Sequence, residues 1–132
     1  MNKISKYNIV FEIFTILCII IVLDSIYIFF TYHILFERLL QKINNTSHPK
    51  VRYWSAILFY FILAFGIYFF LVREKKSLYY SFLFGVFIYL FYEITNYSII
   101  ESWNLQIVIL DSLWGGILIL LTVAGTNYIY NR

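Results

Sequence analysis

Three carboxylates stand where a membrane-crossing chain rarely keeps them. Asp24, Glu93 and Asp111 each lie inside a run of apolar residues about as long as a bilayer is thick. An acid near the centre of a spanning helix costs roughly 2.5 to 3.5 kcal/mol on insertion scales, and less toward the interface. No Lys or Arg lies within the same runs to pair with these three. Such acids must face the inside of a bundle, where they are protonated, hydrogen-bonded, hydrated or bound to a cation. The chemistry open to them is binding or passage of protons and small cations, or acid/base catalysis on a substrate within the membrane.

Their neighbours suit that chemistry. Tyr89, Glu93 and Asn96 follow one another at i, i+4, i+7, so one helix face presents a phenol, an acid and an amide. Asp24 and Tyr27 share a face, as do Asp111, Trp114 and Gly115. Tyr60 comes to a similar depth from the remaining apolar run. The candidate ion, proton or ligand site is therefore Asp24, Glu93, Asn96 and Asp111, supported by Tyr27, Tyr60, Tyr89 and Trp114. The indole N–H of Trp114 needs a partner, and an acid could serve.

The elements that position these residues follow from composition. Of 132 residues, 62% are hydrophobic and 13% charged, too little charge to cover a water-soluble surface. The apolar residues gather in four blocks, predicting spanning helices at about 8–31, 53–72, 78–99 and 105–128. The expected fold is an all-α, polytopic transmembrane four-helix bundle in a lipid bilayer, forming a single domain over 1–132. Alternating helix direction brings the deep ends of the first, third and fourth spans to one side. Each carboxylate then lies about 9 to 11 Å below that surface by helical rise. The first block is too long for a cleavable signal peptide and holds Asp24, so it reads as a retained helix. Between the first two spans, Phe36, Leu39, Leu40 and Ile43 fall at i, i+3, i+4, i+7, with Glu37, Arg38, Gln41 and Lys42 opposite. Residues 33–44 therefore read as an amphipathic helix, either interfacial or continuing the first span.

Charge sets a direction. With the N-terminus inside, Lys3, Lys6, Arg73, Lys75, Lys76 and Arg132 face the cytoplasm, and Arg38, Lys42, Lys50 and Arg52 face away. That places both termini in the cytoplasm. The net charge of +3 sits at block ends and gives no reason to expect nucleic acid as a partner. Asn44 and Asn45 each begin a glycosylation sequon in the outer loop. Glu12 and Glu101 lie near span ends and are expected to reach water. Tyr53, Trp54 and Trp103 are expected as interfacial anchors. His33 and His48 fall outside the spans, and with Cys18 as the lone cysteine no metal centre or cofactor is expected. Ser25 and Ser112 follow acids without a histidine partner and read as helix hydrogen-bonders.

The phrases "LDSIY" in the first span, "FYEITNYSIIESW" across the third and "ILDSLWGG" in the fourth resemble the signature of the domain-of-unknown-function 2177 membrane proteins. The resemblance implies a four-helix membrane protein and carries no assigned activity. That family usually has aspartate where Glu93 stands and tryptophan where Tyr27 stands, and both replacements keep the chemistry in kind. The sequence thus leads to proton or small-cation binding or conduction. An intramembrane acid/base enzyme acting on a lipid and a structural subunit remain as alternatives, and the site could form within one protomer or in a homo-oligomer.

Overall fold

A computed structural model describes residues 8–45 and 50–132. Lys3, Lys6, His48, Pro49 and the Thr46 and Ser47 of the sequons lie outside the described residues. Four described helices are long and apolar enough to cross a membrane: α1 (Ile9–Asn44), α2 (Tyr53–Val72), α3 (Leu78–Ile99) and α4 (Leu105–Ile129). The chain is an all-α integral membrane protein.

Local chemistry fixes the helix starts. Asn8 caps α1 by accepting from the Val10 amide at 2.9 Å, and Asn104 caps α4 by accepting from the Ile107 amide at 2.8 Å. Ser77 does the same for α3 through the Tyr80 amide. The amphipathic segment continues the first span: a π-helical turn at Tyr32–Phe36 joins Ile9–Thr31 to Glu37–Asn44. The wider turn resets the helical register, and such turns cluster at functional sites. A second π turn, Tyr68–Val72, ends α2.

Helix α4 is the most buried of the four and packs against both α1 and α3, while α1 also packs against α2. The α3–α4 contact is the closest because glycines line it. A Cβ built on Gly85 would fall 2.2 Å from the Gly115 carbonyl oxygen, and one on Gly115 would fall 2.3 Å from the Tyr89 ring. Small residues at such crossings let backbones approach where lipid offers no hydrophobic drive to associate. Helices α2 and α3 meet near their connecting loop, where the Phe70 and Phe84 rings are 6.2 Å apart. They make no extensive contact elsewhere.

Two apolar layers result. The larger joins Ile16 and Ile20 of α1, Leu63, Ala64 and Ile67 of α2, and Leu118, Ile119 and Val123 of α4. The smaller sits toward the opposite end, where Leu39 from the amphipathic segment packs with Trp103, Ile107 and Val108. The three intramembrane carboxylates lie between these layers.

The far end of the bundle overturns one expectation. Glu12 does not reach water: it is fully buried and forms an ion pair with Arg132, beyond the end of α4. Next to it Thr15 and Tyr130 share a hydrogen bond of 2.8 Å. The buried Thr122 and Thr126 hydroxyls donate to carbonyls one turn back, which satisfies them without a neighbour.

Candidate carboxylate cavity

All four helices contribute side chains to one cavity of about 480 Å³, and three of them contribute an acid. Asp24 and Tyr27 come from α1, Phe59 from α2, Tyr89 and Glu93 from α3, and Asp111 from α4. Because α1 and α3 run in the same direction and α4 runs against them, Asp24 near the end of one apolar run and Glu93 near the end of another come to the level at which Asp111 enters from the start of α4.

The hydrogen-bond partners of the acids share a chemical type. Asp24 is engaged at both oxygens, accepting from Tyr60 Oη at 2.5 Å and from Trp114 Nε1 at 3.0 Å. Asp111 accepts from Tyr27 Oη at 3.1 Å through Oδ1. Glu93 accepts from Trp103 Nε1 at 2.7 Å through Oε2. Its other oxygen, Oε1, is buried without a hydrogen-bond partner. Glu93 also lies close enough to Asp111 for the two carboxyls to interact. Tyr60, Trp114, Tyr27 and Trp103 thus each offer the acids an aromatic O–H or N–H, which is neutral. Tyr27 stacks flat on Trp114, with ring centroids 4.6 Å apart and planes 6° apart, locking the two donors together.

Trp103 corrects the reading of it as an interfacial anchor. It is buried, and its indole spans the α3–α4 turn to hold Glu93. Its position in a loop next to Glu101 gave the pattern of a belt residue, whereas contact with Leu39 and Ile107 draws it inward. Asn96 is half-buried and does not line the cavity, although it lies on the face expected from its spacing. Ser112 is not a helix hydrogen-bonder: its hydroxyl is buried without a partner. His33 is exposed and pairs with Glu37 at 2.9 Å. Among the described residues, no three His, Cys, Asp or Glu side chains group closely enough to hold a metal ion.

The first span extends the cavity. Tyr32 and Phe36, the ends of the π turn, line it together with Leu40 of the amphipathic segment. Among the described residues, no Lys, Arg or His lines it. On the other side of the acids lies the larger apolar layer of Ile16, Ile20, Ile67 and Leu118, which is fully packed. The cavity is therefore a one-ended chamber with an acidic floor and mainly aromatic walls.

A family described as "Predicted membrane protein (DUF2177)" matches residues 9–128, and the chain belongs to it. No curated protein and no solved structure matches the chain.

Proposed function

We propose that this member of the family binds and moves positively charged species, protons or small cations, at the carboxylate floor of the cavity. One observation carries the reading: three acids line one chamber where their aromatic donors are neutral, and among the described residues no basic side chain lines it. Negative charge in a low-dielectric site is costly unless a proton or cation compensates it. Compensation by a fixed Lys or Arg would give a structural ion pair, as Glu12 and Arg132 form at the other end. Compensation by a mobile species gives a site whose charge changes with occupancy.

The three acids and their donors divide the labour. Asp24, held by Tyr60 and Trp114, fixes α1, α2 and α4 at one level. Glu93 and Asp111 keep accepting capacity, so they are the groups that load and unload. Tyr27, which donates to Asp111, and Tyr89, which lines the chamber beside Glu93, would orient or gate them. With both termini in the cytoplasm, the chamber lies toward the far side of the membrane, and a change in packing of the larger apolar layer would be needed to admit its contents to the near side.

The apolar walls favour a second reading, an enzyme acting on a lipid, in which Glu93 and Asp111 would give and take the proton. Infrared difference spectra recorded on acidification of the purified protein test the first reading at its source. They should show a protonated-carboxyl band that disappears in Glu93→Gln. A band set identical in wild type and variant would remove Glu93 from the proposed role.

A further inference from the structure

We infer that the species the chamber accepts is an organic ammonium: a single positively charged nitrogen on an apolar body. The inference rests on the reading above, that the floor takes positive charge, and narrows it to a ligand class.

Four features of the chamber bear on this. The first is size. At about 480 Å³ the chamber falls in the range of small-molecule sites, roughly 300 to 1,000 Å³, and far exceeds the ~30 Å³ share of one water. A bare ion would leave it mostly unfilled, and no three acids stand close enough to ligate one among the described residues.

The second feature is the free acceptor. Glu93 lines the chamber, and its Oε1 is buried with no N–H or aromatic O–H donating to it, beside the Asp111 carboxyl. Asp24 has both oxygens engaged, so a ligand N–H is directed to Glu93 and to the neighbouring Asp111.

The third is the wall. Seven of the thirteen lining residues are aromatic, and three more are aliphatic, which suits a cation over ring faces with an apolar body beyond it. The fourth is the mouth. Phe59 and Tyr92 line the chamber, yet are 45% and 57% exposed and lie inside spans. They flank the gap between α2 and α3, so the chamber opens to the hydrocarbon layer, where an apolar body arrives by partitioning.

Decylammonium is the probe, with decanol as its uncharged counterpart, and both are titrated against the full chain in lipid nanodiscs. Empty nanodiscs correct for partitioning, and isothermal titration calorimetry reads the binding. Decylammonium should bind the wild type about tenfold more tightly than decanol, the factor expected from one carboxylate contact with aromatic support. Glu93→Gln should remove that preference. Phe59→Trp, which crowds the mouth without altering an acid, should weaken decylammonium binding in a protein whose floor is intact. Equal binding of decanol, or a preference unchanged in Glu93→Gln, would overturn the inference. Loss of the protonated-carboxyl band in Glu93→Gln without any decylammonium preference would reject the organic ammonium and leave the proton reading standing. Failure of both measurements would reject both.

Discussion

Trp103 and Glu93 are ten residues apart in the chain, and 2.7 Å separates the indole nitrogen from the carboxylate oxygen it donates to. Both side chains are buried. This bond closes the α3–α4 turn over the chamber and holds the acid that has a free oxygen. It also makes an aromatic residue outside the spans part of the intramembrane site.

Trp103→Phe keeps the ring and removes the donor. Leaving a buried acceptor unpaired costs about 1 to 3 kcal/mol, so the variant should unfold at correspondingly lower denaturant in detergent. An anchor at the interface would lose little from the same change, and an unaltered unfolding midpoint would return Trp103 to that role.

The glycines separate contact from propensity. In Gly85→Ala the new carbon meets the Gly115 backbone, which cannot rotate away, so α3 and α4 must part. A loss of at least about 2 kcal/mol is expected, as for overpacked cores. Gly66 has nothing within 4 Å of its Cβ position. Gly66→Ala should therefore be neutral, or stabilise by up to about 1 kcal/mol through helix propensity. Thermal unfolding of the two variants side by side checks the contrast.

Arg132→Gln removes the cation from the buried Glu12. Loss of one partner from a fully buried pair costs about 3 to 5 kcal/mol, and the Arg132 side chain is 28% exposed, so about 2 to 3 kcal/mol is expected. Adding Glu12→Gln should recover part of the loss. Equal stability of wild type and Arg132→Gln would show that water already compensates Glu12.

Ser112→Ala should be neutral or stabilising. Its hydroxyl is buried without a partner, so deletion relieves an unmet group rather than breaking a bond. A destabilisation above about 1 kcal/mol in chemical unfolding would reveal a partner for that hydroxyl.

The chain's own pattern makes the helices legible, because four long apolar blocks admit few other structures. The depth of Asp24, Glu93 and Asp111 is legible too, since helical rise and alternating direction are fixed by geometry. What a single sequence does not carry is the partner of a group at long range. Glu12 looks like a residue near a span end until Arg132, 120 positions away, is brought to it. Gly85 follows Ser81 at i+4 in an aromatic run, a spacing that marks a packing face without naming its partner, and the crossing with Gly115 supplies that partner. Trp103 carries the pattern of an anchor because loop aromatics usually are anchors. The chamber itself depends on α2 and α3 splaying apart, a tertiary relationship that helix periodicity does not encode.

Proton and cation flux through proteoliposomes tests the central claim most directly. Vesicles holding wild-type protein should pass protons or a small cation faster than empty vesicles, and vesicles holding equally folded Glu93→Gln should fall back to the empty rate. Flux that is absent from the wild type across about pH 5 to 8, a range that lies above the ordinary titration of exposed carboxylates, or undiminished in Glu93→Gln, would contradict the account.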